Sequence, residues 1–147
     1  MTAPEFRLLP IESLKVHEEV VEAEVLQLVQ ALQREGAVQE PLWIARGSFV
    51  ILNGHHRYNA LRRLKARFAP AWLVDYEDPD IDLARWSDGP PLTKADVVER
   101  AVSGHPYPPK TTRHRIRHPH PHHPTTLDEL GVPSQARAAP PSRSSPG

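Results

Sequence analysis

The chain has 147 residues, with 18 lysines and arginines against 18 aspartates and glutamates, 17 prolines and no cysteine. That length carries one small core with appendages and excludes two full ones. The lack of cysteine excludes disulfide frameworks, thiolate zinc sites and thiol nucleophiles, and no run approaches the ~18 apolar residues of a membrane span.

The formal net charge of zero hides an asymmetry. Acidic residues dominate up to about Ser103, and Lys110, Arg113, Arg115 and Arg117 then form a basic run. An acidic body disfavours broad coating of a nucleic-acid backbone, so nucleic acid is not the expected partner unless through that basic run. The opening Met1-Thr2-Ala3-Pro4-Glu5 lacks the basic and then apolar pattern of a signal peptide, and the expectation is a cytoplasmic protein with no membrane association.

Phe6 to Pro10 reads as a short strand, after which Ile11 and Leu14 anchor a turn into the polar patch Lys15-Val16-His17-Glu18-Glu19. From Glu22 to Glu35, Val25, Leu28, Val29 and Leu32 recur at helical spacing, Glu22 and Glu24 sit near the N-terminal end, and Gly36 supplies the stop. Pro41-Leu42-Trp43-Ile44-Ala45 and Phe49-Val50-Ile51-Leu52, separated by Arg46-Gly47-Ser48, predict a β-hairpin. A second helix is predicted from about His56 to Lys65, with Ala60, Leu61 and Leu64 inward. Residues 69–76 return as a strand in which Pro70 belongs at the start or edge, and 80–86 alternate as a half-buried strand does. Trp72 and Trp86 read as core residues, with stacking on a base the alternative for Trp86. Thr93 and Asp96 form the capping box of a third helix packed through Val97, Val98, Ala101 and Val102. From about Pro133 the composition of proline, serine, alanine and arginine cannot build a core.

The junction Asn53-Gly54-His55-His56-Arg57 between the hairpin and the second helix carries the chemistry. A helix N-terminus presents unpaired backbone N–H groups and the positive end of its dipole, glycine lets a phosphate approach the backbone, and arginine adds a charge-assisted donor. The tract His114, His118, His120, His122 and His123 is interrupted by Pro119, Pro121 and Pro124, which favours an extended, loosely chelating chain over a tetrahedral metal centre. No spacing matches a helix-borne pair of zinc ligands, and no resident metal ligands are expected in the protein.

At Asn53-Gly54-His55-His56-Arg57-Tyr58, with Val16-His17-Glu18 upstream and a glycine-terminated helix between, the chain resembles the ParB N-terminal domain/sulfiredoxin superfamily, and within it most of all the free serine kinase branch. The resemblance implies a compact α/β (α+β) domain with a small mixed sheet and packed helices over residues 6–86. A short helix and basic extension would follow at 87–116, then a disordered His/Pro-rich tail at 117–147. Sulfiredoxins carry their catalytic cysteine where His55 stands, so that chemistry is excluded. The residues after Trp86 leave too little ordered sequence for the DNA reader and dimerisation domain of partition proteins, and the motif lacks the carboxylates a nuclease needs. For the kinase branch, the resemblance implies phosphoryl transfer from ATP or ADP, with Mg2+, to L-serine or a similar small hydroxyl compound. Glu18 aligns with the general base, and Gly54, His55, His56 and Arg57 with the phosphate-binding motif, where His56 would donate to a phosphate oxygen. Asn53 stands where those kinases carry aspartate. His17, Lys110, Arg113 and His114 are further candidates for contact with substrate or phosphate. The alternative is a nucleotide-binding regulatory or adaptor module that transfers nothing.

Overall fold

The order and pairing of the strands decide where the junction glycine lies. A computed structural model describes residues 3–86, 88–117 and 121–137. Strand β1 (Glu5–Pro10) leads through a 3-10 turn at Ile11–Ser13 towards helix α1 (Glu22–Glu35). Strands β2 (Ala37–Val38), β3 (Leu42–Ala45) and β4 (Ile51–Asn53) precede helix α2 (His55–Arg63). Strands β5 (Phe68–Val74) and β6 (Ile81–Arg85), helix α3 (Lys94–Ser103), strands β7 (Thr112–Ile116) and β8 (Thr125–Thr126), and helix α4 (Ser134–Arg137) complete the order. No helix among the described residues is long and apolar enough to cross a membrane.

The main sheet runs β1-β5-β3-β4, with β5 parallel to β3 and the outer pairs antiparallel. Its inner strands are apolar throughout because both faces are covered. Leu42 and Ile44 of β3 and Ala69, Ala71 and Leu73 of β5 face the layer of α1 and α2. Trp43, Ala45, Trp72 and Val74 alternate with them and face a second core under α3 and the antiparallel β6–β7 pair. Pro70 is tolerated because β3 joins β5 only from Ala71 onward, which leaves the proline flanked by β1 alone. The capping box forms as read, with Thr93 and Asp96 each bonding the other's backbone N–H.

Two expectations are corrected. Residues 121–137 are part of the fold and not a tail. Leu127, Leu130 and Val132 are buried in the core beside α1 and α2, β8 pairs with β2, and the Leu130 carbonyl accepts from the N–H groups of Arg67 and Phe68. Three apolar residues spread over six positions show no helical or strand period, so the signal was lost among prolines and threonines. His122 and His123 are likewise engaged, His122 Nδ1 lying 2.7 Å from Glu40 Oε1 and the His123 ring stacked on Phe6 at 3.6 Å. His118, His120 and residues 138–147 lie outside the described residues. The second correction concerns Trp86, which is 60% exposed beside the cleft described below, with the Arg113 guanidinium 5.0 Å from its ring centre.

Candidate active site

Gly54 follows β4 and caps α2 with φ 112°, a left-handed conformation that residues other than glycine rarely adopt. A Cβ there would stand 2.7 Å from Leu42 Cγ. The N–H of Tyr58 is the first to close a helical bond, onto the Gly54 carbonyl, so the N–H groups of His55, His56 and Arg57 precede the ladder. The first turn contains no acidic residue and the cap offers no side-chain acceptor. These donors are therefore left for an external anion. Arg57 is anchored beside them, its Nη1 donating to the carbonyls of Glu40 and Pro41, the latter at 2.9 Å. Burial lowers its pKa from the usual guanidinium value, against the favourable Glu40 carboxylate, and the group remains a cation. Its Nη2 lies 3.1 Å from the Cβ position of Gly54, which brings the second amino group to the same cradle.

Glu18 is held by residues 110–112 of the same cleft. Segment 17–19 pairs with Tyr107, whose N–H donates to the His17 carbonyl and whose carbonyl accepts from Glu19 N–H. Lys110 then turns the chain with φ 59°, so that successive N–H groups point at one carboxylate. Glu18 Oε2 accepts from Lys110 N–H at 3.0 Å, and Oε1 accepts from Thr111 N–H at 3.2 Å, Thr112 N–H at 2.8 Å and Thr112 Oγ1–H at 2.7 Å. The Lys110 side chain points elsewhere, with Nζ 3.6 Å from Glu24 Oε2.

Three histidines are packed edge to face next to this segment. The His17 ring centre lies 4.5 Å from that of His55 and 5.6 Å from that of His114. His55 Nε2 accepts from His17 N–H at 3.2 Å, and His114 Nε2 lies 2.7 Å from the Tyr76 hydroxyl. Burial pushes the imidazoles of His17 and His114 down to about 4 and about 3, and that of His55 well below its ordinary value. Burial also raises the Tyr76 hydroxyl, which keeps it a donor to His114. The adjacent histidines of the motif thus supply hydrogen bonds and shape, and His55 brings no positive charge.

This neutrality has a thermodynamic consequence. Above the unfolded value of roughly 6.5, both folded and unfolded histidines are neutral and contribute no pH dependence. As pH falls below it, the unfolded chain takes up protons that the folded one refuses. Stability is therefore lost from about 6.5 downward, through the windows ending near 4 for His17 and near 3 for His114. Urea denaturation at pH 7 and pH 6 should show a loss of about 0.7 kcal/mol for each of the three histidines. A flat profile would mean that the folded protein binds those protons.

Glu18, Asn53, Gly54, His55, His56, Arg57, Lys110, Arg113 and His114 all line one open cleft of about 730 Å³, so the structure brings together nine residues read from the sequence. His56 bonds through Nε2 to Val21 N–H at 3.2 Å, which holds the start of α1 and leaves Nδ1 as its donor. His17 is the exception. It is fully buried behind Glu18 and reaches Thr112 Oγ1 with Nε2 at 2.9 Å. Thr112, Leu28 and the exposed Trp86 also line the cleft, and sequence reasoning missed the first two. A lone threonine beginning a strand carries no signal, and Leu28 belongs to an ordinary apolar stripe. A second groove of about 530 Å³ shares Leu28, Asn53 and Arg57 with the cleft and continues along Leu32, Val38, Pro41 and Trp43.

No family model matches the chain. It is 31% identical over 99 residues to an ATP-dependent L-serine kinase of Desulfurococcus mucosus, covering 65% of this chain and 39% of that protein. It is 28% identical over 103 residues to an ADP-dependent L-serine kinase of Thermococcus kodakarensis, covering 65% of this chain and 41% of that one. The chain thus spans about two-fifths of the length of these curated relatives. Among solved structures, a free serine kinase in complex with AMP superposes with a TM-score of 0.78 at 18% identity, over 88% of this chain and 95% of that one. The fold is accordingly that of the free serine kinase structure on which the chain superposes.

Proposed function

We propose that this protein transfers a phosphoryl group from ATP or ADP to free L-serine or a similar small hydroxyl compound. The observation that carries the reading is the placement of Glu18 and of the Gly54–Arg57 anion cradle in the lining of one cleft. Names of the relatives support the donor and acceptor classes. The groove along Val38, Pro41 and Trp43, bordered by Glu35, Gln39 and Glu40, would take the nucleobase next to Arg57.

Phosphoryl transfer asks for positioning and charge neutralisation more than for covalent catalysis. The backbone N–H groups at the start of α2 and the Arg57 guanidinium would hold the donor's terminal phosphates. His56 would donate from Nδ1 to a terminal oxygen, since its Nε2 is taken by Val21. Glu18 would accept the hydroxyl proton as the acceptor oxygen bonds to phosphorus, and the bond to the nucleotide's bridging oxygen breaks with its electron pair.

Magnesium would be held largely by phosphate oxygens and water, as is usual for this ion. Among the described residues no group of three or more histidine, aspartate or glutamate side chains could hold a metal. The exposed Asn53 at the end of β4 fits such an ion as a single neutral oxygen. When bound, the ion neutralises charge on the transferring group.

Phosphorus NMR of the protein with Mg2+, ATP or ADP, and L-serine tests the reading. O-phosphoserine should appear only with all three present. Asn53, neutral where the resemblance drawn above implies an aspartate, favours a second reading as a nucleotide-binding regulatory module. Saturable nucleotide binding without any phosphorylated product would select it.

A further inference from the structure

We infer that Thr112 and His17 are positioning residues that saturate Oε1 of Glu18 and thereby leave Oε2 as its proton-accepting atom, an inference that rests on the phosphotransferase reading above. The donors around the carboxylate are unequally shared. Oε1 accepts three hydrogen bonds, from Thr111 N–H, Thr112 N–H and Thr112 Oγ1–H, whereas Oε2 accepts one, from Lys110 N–H. A carboxylate oxygen offers two good acceptor directions, so a proton arriving at Oε1 would meet three donors. At Oε2 one lone pair is still free. The proton released by the acceptor hydroxyl therefore ends on Oε2, while its O–H electron pair becomes the new O–P bond.

The Thr112 hydroxyl has a single proton and two neighbours, Glu18 Oε1 at 2.7 Å and His17 Nε2 at 2.9 Å. An ionised Glu18 only accepts, so the proton of Thr112 goes to Glu18 and the hydroxyl must itself accept from His17 Nε2–H. This defines His17 as the neutral Nε2–H tautomer. The Ile51 backbone also meets the His17 ring as an acceptor and would draw a proton towards it, so the tautomer rests on the single proton of Thr112 and is what the nitrogen NMR below reads. The opposite tautomer would turn the Thr112 proton towards His17 and aim an oxygen lone pair at the carboxylate. His17 touches neither solvent nor cleft, so its role is exerted through Thr112.

Several ionisable groups lie around the Glu18 carboxylate. Lys110, Arg113, His114 and His56 line the same cleft, Glu24 reaches Lys110, and His17 and Glu19 flank Glu18 in the chain. The variants chosen leave all of these unchanged. The test combines three measurements on the full chain. In the wild type, nitrogen NMR should find His17 protonated on Nε2 and not on Nδ1 at pH 7. Carbon NMR of the Glu18 carboxyl should show its titration moved upward by about one unit in Thr112→Val, because a hydrogen bond to the charged form is lost, and restored in Thr112→Ser. With L-serine and nucleotide, Thr112→Val should lower kcat roughly ten-fold or more, shift the acid limb of the pH profile upward and leave the nucleotide KM unchanged, with Thr112→Ser again close to wild type.

An Nδ1–H tautomer, an unmoved Glu18 titration in Thr112→Val, or a Thr112→Ser variant as impaired as Thr112→Val would overturn the assignment. If Thr112→Val does not fold, the wild-type tautomer and the serine variant decide. Failure of the wild type to make phosphorylated product would remove the kinase reading alone, since the carboxyl titration still reports whether Thr112 holds Oε1.

Discussion

Glu18→Gln is expected to lower the rate of phosphoryl transfer about 10²- to 10⁴-fold while leaving nucleotide affinity near that of the wild type. The substitution removes the proton acceptor, its charge and one of four hydrogen bonds. An amide oxygen in place of Oε1 can keep the hydrogen bonds from Thr111 N–H, Thr112 N–H and Thr112 Oγ1–H. The amide nitrogen then faces the Lys110 N–H donor to donor, so that one hydrogen bond is lost. Loop 107–112 should therefore stay in place, and the anion cradle on α2 is untouched. Initial rates by phosphorus NMR, set beside nucleotide affinity by calorimetry, separate the two quantities. Turnover equal to wild type would sink Glu18 as the base. Loss of nucleotide binding would instead show that Glu18 and the anion cradle depend on each other.

Gly54→Ala is expected to cost about 2–5 kcal/mol of stability, and to weaken nucleotide binding in whatever fraction stays folded. Two effects add. At φ 112° any side chain is strained, and the new methyl would lie 2.7 Å from Leu42 Cγ and 3.3 Å from Leu42 Cβ, where both neighbours are already packed. Leu42 is fully buried between the main sheet and the helices, so it has no free space into which to move. Relief would come from tilting the start of α2, which moves the N–H groups of His55, His56 and Arg57 off the phosphate and presses on Arg57 Nη2, 3.1 Å away. Urea denaturation monitored by Trp43 and Trp72 fluorescence gives the stability change. An unstable protein with unaltered nucleotide affinity would mean that the phosphate binds elsewhere.

Local signals sufficed for much of this molecule. The helix at Glu22–Glu35 follows from an apolar stripe closed by a glycine, and the hairpin and junction glycine follow from two apolar runs punctuated by Gly47 and Gly54. The anion cradle is legible for the same reason: a helix N-terminus, a glycine and an arginine within four residues need no distant partner to present their donors.

Glu18 is a different case. Taken alone, it is one carboxylate among many, and its three supporting backbone donors lie 92 to 94 positions further on. Backbone N–H groups have no sequence signature, so only the turn at Lys110 and the docking of β7 could reveal them. Long-range burial likewise decided the rest. His17 looks like a polar surface residue beside Lys15 and Glu18, yet it is enclosed among His55, His114 and Thr112. Leu127, Leu130 and Val132, aperiodic among prolines and threonines, close the core next to α2. The sequence alone settles short-range elements because periodicity and backbone stereochemistry are local. Which side chains lose their water, and which distant N–H groups converge on one carboxylate, is settled only when the tertiary packing removes solvent from both.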